Sequence, residues 1–106
     1  MRITNYFAAC ALFLVSFHAC AGWHGGAVQQ LNVGYDGKTI TFRVDGWTRT
    51  DCTCYSAWPS TMCLDSMRDT YDFEKAILLS ARARGSVVNA YIDEGTCSVQ
   101  AIYEIN

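Results

Sequence analysis

The stretch AVQQLNVGYDGKTITFRVD, residues 27–45, decides the fold, because it predicts a β-hairpin with a defined register. Asp36-Gly37 favours a two-residue type I′ turn, which places Tyr35 opposite Lys38. With that turn, one face is mostly apolar on both strands and the other is polar, so a shifted register would break both patterns. The first face pairs Val33 with Ile40, Leu31 with Phe42 and Gln29 with Val44; the second pairs Asn32 with Thr41 and Gln30 with Arg43.

A second hairpin is predicted near the C-terminus, where Glu94-Gly95 turns the chain between residues 86–93 and 96–105. One face is apolar and is expected to point inward, so that Cys97 can form a buried bridge. The other face is more polar, although Val87 and Ile102 add apolar area to it. The inward pairs are Ile92–Cys97, Ala90–Val99 and Val88–Ala101, and the outward pairs are Tyr91–Ser98 and Asn89–Gln100.

A helix is predicted between the hairpins, over residues 66–84. Its first turns are acidic and its last turn holds Arg82 and Arg84, an order that suits the helix dipole. Ser66 opens a capping-box pattern, while Thr70 offers a later start, and Gly85 is a natural stop. Apolar side chains cover a wide arc of this helix, which indicates one packing face on the sheet and either a second packing partner or a helix buried deeply in its own barrel.

The element order predicts a mainly β domain with one helix, an α+β protein. A third strand is expected near Trp47 to Cys54, before the helix. Five or six strands with a helix after the third match the small, partly open barrel of the OB-fold. An α+β roll, with the helix on an antiparallel sheet, is the alternative.

Residues 1–21 are predicted to be a secretory signal peptide, with Arg2, the apolar run YFAACALFLVSF and the cleavage motif Ala19-Cys20-Ala21. Lipidation at Cys20 is disfavoured because FHAC lacks the usual leucine three residues before the cysteine. Residues 22–106 then form one domain without a membrane-spanning segment. With 8 Lys and Arg against 10 Asp and Glu, the chain has no basic stripe, and nucleic-acid binding is not expected.

The cysteines outside the signal peptide predict two disulfides, because an even number in a small exported domain is typical of a disulfide framework. A bridge between Cys52 and Cys54 would be strained. Two pairings remain open: 52–63 with 54–97, or 54–63 with 52–97. Zinc is disfavoured because the paired spacing of structural zinc sites is absent, and no metal or cofactor is expected. The cysteines concerned are Cys52, Cys54, Cys63 and Cys97.

Several segments resemble the B subunits of subtilase cytotoxin and pertussis-like toxins. GGAVQQLNVGYDGKTITFRVDG is similar to their opening hairpin, C-x8-C to their cysteine loop, and AILLSARARGSVVNAYI to their central helix and the strand after it. The resemblance implies a secreted OB-fold that forms a five-membered ring, binds cell-surface glycans, often sialylated, and can accompany a catalytic A subunit. Two departures concern the sialic-acid pocket: Gly25-Gly26 stand where that family has a serine, and Ile92 replaces a tyrosine.

The segment GWTRTDCTCYSAWPSTMC, residues 46–63, holds the candidate carbohydrate-binding residues. Aromatic faces pack on apolar faces of sugars, while Arg and Asp bind hydroxyl or carboxylate groups. Alternatively, the aromatic residues cover the disulfides and the core, or they form a subunit interface. The candidates are Trp47, Arg49, Asp51, Tyr55 and Trp58.

No enzymatic activity is expected. His24, the one histidine outside the signal peptide, has no neighbouring residues in sequence that suggest a nucleophile or a supporting partner. The leading hypothesis is therefore a secreted, non-enzymatic, oligomeric glycan-binding subunit. The alternative is a small exported protein-binding module, such as an inhibitor or an accessory subunit, with the same disulfide-bonded barrel.

Overall fold

A computed structural model describes residues 21–105. The predicted signal peptide therefore lies outside the described residues, apart from Ala21. Within the described range, no helix combines the length and the apolar character that a membrane crossing requires.

Over residues 21–105 the fold is mainly β with one helix, as predicted, and its five strands form one antiparallel sheet. The sheet order is β3-β2-β1-β4-β5. β1 is long because its first half pairs with β4 and its second half with β2. The elements are β1 (Ala21–Val33), β2 (Ile40–Val44), β3 (Met62–Leu64), α1 (Tyr71–Arg84), β4 (Val87–Asp93) and β5 (Val99–Ile105).

The two edges of this open sheet touch at one point. A parallel bridge joins Cys63 of β3 to Ser98, just before β5. The Cys63 amide donates a hydrogen bond of 3.1 Å to the carbonyl of Cys97. The sheet is therefore strongly curved, with the core inside the curve.

Two disulfides hold this arrangement and resolve the open pairing. Cys52 is bonded to Cys97 and Cys54 to Cys63. The first ties the irregular segment to the turn before β5, and the second closes a local loop in front of β3.

The register of the first hairpin is confirmed for the four pairs from Val33–Ile40 to Gln30–Arg43. The predicted turn is wrong. A type I′ turn requires positive φ at both central residues, and only Gly37 has it, at 72°. The loop is instead closed by a 2.7 Å hydrogen bond from the Gly34 amide to the Thr39 carbonyl.

The end of this hairpin also differs from the prediction. A bulge at Gln29 brings Val28, in place of Gln29, opposite Val44. The bulge turns the apolar Val28 into the core and leaves Gln29 exposed.

The register predicted for the second hairpin is wrong. Ile92 pairs with Val99 and Ala90 with Ile102. The reason is a four-residue loop, closed by a 2.9 Å hydrogen bond from the Asp93 amide to the Ser98 carbonyl. A bulge within β5 then turns Ile102 inward, whereas the sequence placed it on the outer face.

The third strand lies later than predicted. Residues 47–54 are irregular, and β3 is the short, fully buried run Met62–Leu64. The backbone amides of the irregular segment form hydrogen bonds outside a strand ladder. The Cys52 amide donates to the Pro59 carbonyl, and the Cys54 amide donates to the Thr96 carbonyl. The first bond stays within the irregular segment and the second reaches the turn before β5, so residues 47–54 do not pair as a strand.

The helix begins at Tyr71 and not at Ser66, because the preceding residues form turns around Asp65, whose carboxylate accepts the Met67 amide at 3.0 Å. Its C-terminus is as predicted: Gly85 adopts a φ of 69° and closes the helix. Leu78 and Ala81 are buried against the sheet.

An ion pair between the partly exposed Arg68 and the buried Glu74 secures the start of the helix. Glu74 is 5% exposed and receives two hydrogen bonds from the Arg68 guanidinium, at 2.8 and 2.7 Å. The same guanidinium donates to the Gln100 carbonyl at 2.9 Å. Hydrogen bonding to Glu74 raises the pKa of Arg68 above its ordinary value, despite the opposing effect of burial. This pair joins the helix to β5.

Candidate functional site

The structure divides the predicted site residues between two clusters. Trp47, Arg49 and Asp51 belong to a charged cluster beside the turn between β4 and β5. Tyr55 and Trp58 belong to an aromatic cluster beside the first hairpin loop. The five candidates therefore do not form one site.

Arg49 is the centre of the charged cluster, and its donors are engaged by protein groups. It donates to Asp51 at 2.9 Å and to the carboxylate and the carbonyl of Glu94, each at 2.7 Å. The hydrogen bond from Arg49 lowers the pKa of Asp51 below its ordinary value. His24 shares the same partner, with Nε2 2.7 Å from the Glu94 carboxylate. This network joins β1, the irregular segment and the turn before β5.

Trp47 lies next to this network and packs against the core. Its indole N–H donates to the Ser60 carbonyl at 2.9 Å, and the His24 ring meets it edge-on at 5.0 Å between centroids. These contacts correspond to the core-cover alternative for Trp47, because both its apolar ring and its polar N–H are used within the protein.

The aromatic cluster brings together two predicted residues and one that the sequence analysis did not select, Tyr35. The centroid distances are 5.3 Å from Tyr35 to Trp58 and 5.2 Å from Tyr55 to Trp58. The Tyr35 amide donates to the Tyr55 hydroxyl. Gly34 permits this contact, because a Cβ there would lie 2.7 Å from the Tyr55 ring.

Trp58 also forms part of an open cleft of about 360 Å³ between the first hairpin and the irregular segment. One wall consists of polar side chains from β1 and β2, and the other is the loop around Trp58. The lining residues are Gln30, Asn32, Arg43, Ala57, Trp58, Pro59, Ser60 and Thr61.

The polar wall of the cleft retains its hydrogen-bonding capacity. Within residues 21–105, the side chains of Gln30, Asn32 and Arg43 form no hydrogen bond or ion pair with other residues. Two amides offer donors and acceptors, and a guanidinium offers a planar set of donors. Together with the indole of Trp58, this cleft can bind a polar ligand that has an apolar face.

Sequence reasoning identified this wall only as the polar face of the first hairpin. The pairing of Gln30 with Arg43 and the alternation that includes Asn32 were the available signals. They indicated exposure to solvent. The missing information was that the loop containing Trp58 folds back over this face.

A second cleft, of about 280 Å³, includes the position that the toxin resemblance assigns to a sialic-acid-binding serine. Gly25-Gly26 stand at that position and supply no hydroxyl. The adjacent Gly26 is required by close approach, because a Cβ there would lie 2.7 Å from the Asp45 carbonyl oxygen. The lining residues are Trp23, His24, Gly25, Val44, Asp45, Gly46 and Trp47.

In the described part of the chain, no three His, Cys, Asp or Glu side chains are grouped so that they could hold a metal ion. Cys52, Cys54, Cys63 and Cys97 are all in disulfides.

Comparisons with known proteins identify no relative. A scan against family models, a search of curated proteins and a search of solved structures each find no match to this chain. The interpretation of the clefts accordingly rests on their own geometry and chemistry.

Proposed function

We propose that the protein is a secreted, non-enzymatic, glycan-binding subunit whose sugar site is the cleft at Trp58. The observation that carries the proposal is the facing pair of walls. On one side lie the amide and guanidinium groups of Gln30, Asn32 and Arg43, which have no hydrogen-bond partner among residues 21–105, and on the other lies Trp58.

The chemistry of the cleft suits a carbohydrate. A sugar ring has an apolar face of C–H groups and a rim of hydroxyl groups. The indole of Trp58 would contact the apolar face, while the amides of Gln30 and Asn32 would bind the hydroxyls. Arg43 would bind either hydroxyls or the carboxylate of an acidic sugar such as a sialic acid, with the strength of a charge-assisted hydrogen bond.

The proposed fold is an OB-like, partly open barrel. It is supported by the strand order, by the helix between β3 and β4, and by the parallel bridge between Cys63 and Ser98. OB-folds bind oligosaccharides and oligonucleotides with the face of their second and third strands and the adjoining loops. Arg43 lies on β2 and Tyr35 on the loop before it, which agrees with that use of the fold.

Secretion is proposed from the predicted signal peptide, and the two disulfides suit an oxidising compartment. A protein processed after Ala21 would begin within β1 at Gly22. N-terminal sequencing of the exported protein tests this directly, and a chain that retains residues 1–21 would contradict it.

We also propose assembly into a homopentamer, with a catalytic A subunit as a further partner, as the toxin resemblance implies. Exposed apolar side chains support a protein contact on two surfaces. Trp23 and Tyr103, 44% and 47% exposed, lie on the outer face of the sheet, and Phe73 and Leu79, 71% and 53% exposed, lie on the helix. Native mass spectrometry should give a five-subunit mass, and a monomer would rule out the ring.

The same exposed side chains favour a second candidate, an exported protein-binding module. The two functions predict different results for the purified protein. A monomer that binds no glycan and forms a one-to-one complex with a defined protein would favour the second candidate.

A glycan array tests the leading proposal. The purified wild-type protein should bind a restricted set of carbohydrates, and Arg43→Ala should abolish that binding. Arg84→Ala is the matched control, because it removes the same charge from an exposed arginine at the end of the helix. A flat array for the wild type, or an Arg43→Ala variant that binds like the wild type, would overturn the proposal.

A further inference from the structure

We infer that the sugar site continues from the cleft onto Tyr35, so that the ligand is an oligosaccharide with at least two sugar units in contact with the protein. This inference rests on the proposed glycan-binding function and specifies the ligand of the same site. The first unit occupies the cleft, and the second packs on the aromatic platform formed by Tyr35, Tyr55 and Trp58.

Trp58 connects the two parts of the site. It lines the cleft, and its ring also lies 5.3 Å from Tyr35 and 5.2 Å from Tyr55. A ligand that contacts Trp58 in the cleft therefore has two further aromatic rings next to it. The three rings form a triangle in which the planes are tilted by 42–51° to one another, and the apolar face of a second sugar unit can pack on it.

Tyr35 is exposed but held in place. It is 82% exposed, yet its amide donates to the Tyr55 hydroxyl. The next residue, Asp36, accepts hydrogen bonds from the Lys38 amide at 2.8 Å and the Thr39 amide at 2.9 Å, which fixes the loop. The loop backbone that carries the Tyr35 ring is therefore preorganised, which limits the conformational entropy lost when a ligand packs there.

The cleft is open, so it can accept a ligand that extends beyond it. Its volume of about 360 Å³ lies at the small end of the range of roughly 300–1,000 Å³ for small-molecule sites. A glycan bound in the cleft can continue past Trp58, whose ring also belongs to the platform.

The test compares ligand lengths in solution by isothermal titration calorimetry. The probes are the terminal monosaccharide of the best array ligand, as its methyl glycoside, and the di- and trisaccharides that end in it. Wild-type protein should bind the disaccharide about tenfold more tightly than the monosaccharide, as expected for one added aromatic contact. Tyr35→Ala should remove that gain and leave monosaccharide affinity unchanged, whereas Tyr35→Phe should retain it.

Lys38→Ala is the control, because it truncates an exposed side chain of the same loop and keeps the aromatic ring. Equal wild-type affinity for all three lengths would overturn the second subsite and leave the proposed function intact. If Tyr35→Ala weakened the binding of all three ligand lengths equally, the second subsite would also be ruled out, because Tyr35 would then support the cleft itself. Absence of binding to any glycan would overturn the proposed function and, with it, this inference.

Discussion

Removing the two disulfides one at a time should separate the stability of the fold from the shape of the sugar site. Cys52 and Cys97 are 45 residues apart, and Cys54 and Cys63 are 9 apart. The chain-entropy model gives about 4 kcal/mol of stabilisation for the long loop and about 2.7 kcal/mol for the short one. The long bridge should therefore contribute more to the free energy of unfolding.

The expected effect on binding has the opposite order. The 54–63 bridge closes the loop that contains Tyr55 and Trp58, so its loss should loosen both the cleft wall and the platform. Cys52 and Cys97 are buried and neither lines the cleft, and the contact of Cys52 with the cleft wall, its amide bond to the Pro59 carbonyl, does not involve its side chain. Its removal should leave the cleft intact in those molecules that remain folded.

The variants are the double substitutions Cys52→Ala/Cys97→Ala and Cys54→Ala/Cys63→Ala. Urea unfolding should show the larger loss of stability for the first variant, up to complete unfolding. Titration with the best array glycan, corrected for the folded fraction, should show at least a tenfold loss for the second. The reasoning fails if the second variant is the less stable one, or if it binds the glycan like the wild type.

Three further predictions concern the fold. Glu74→Gln should lower the free energy of unfolding by about 2 kcal/mol, because the Arg68 guanidinium loses its charged partner while staying partly accessible to water; urea midpoints equal to the wild type would contradict this. Gly26→Ala should cost about 1–3 kcal/mol, because its Cβ would lie 2.7 Å from a backbone carbonyl oxygen; an unchanged melting temperature would show that β1 can move aside. The pKa of Asp36 is lowered from 3.8 to about 2, first by the Thr39 side chain and then by backbone amides. Since the folded pKa of Asp36 lies below the unfolded one, ionised Asp36 stabilises the fold above pH 4, and this stabilisation is lost as the pH falls towards 2. An NMR titration should show the lowered pKa, and Thr39→Val should raise it. An unchanged pKa in that variant would show that the Thr39 hydroxyl is not its main cause.

The first hairpin could be predicted because its information is local. Alternation on both strands fixed the register from Val33 to Gln30, and a slip of one residue would have exposed Phe42. The turn type could not be predicted from the Asp36-Gly37 pair alone. The carboxylate of Asp36 bonds to amides within the loop and widens it.

The second hairpin shows the limit of the same reasoning. Cys97 has a φ of 71°, which a non-glycine residue adopts rarely, and its disulfide to Cys52 fixes the loop from a distant part of the chain. The loop length and the bulge that turns Ile102 inward therefore depend on a contact between segments. The spacing of apolar residues along the sequence does not indicate a contact between distant segments.

The candidate site could be predicted only in part, because it also depends on contacts between segments that are distant in sequence. Trp58 and Tyr55 were selected by residue type, while Gln30, Asn32 and Arg43 were identified only as a polar face. The aromatic and polar residues come together because of the path of the irregular segment. That path is set by the disulfides and by the position of β3 late in the segment.

NMR titration of the ¹⁵N-labelled protein with the best array oligosaccharide tests the central claim most directly. The indole N–H of Trp58 and the side-chain amides of Gln30 and Asn32 should shift, because they line the proposed cleft. The indole N–H of Trp47, which donates to Ser60, should not shift. Shifts confined to Trp47 and the second cleft, or no shifts at all, would contradict the assignment of the sugar site.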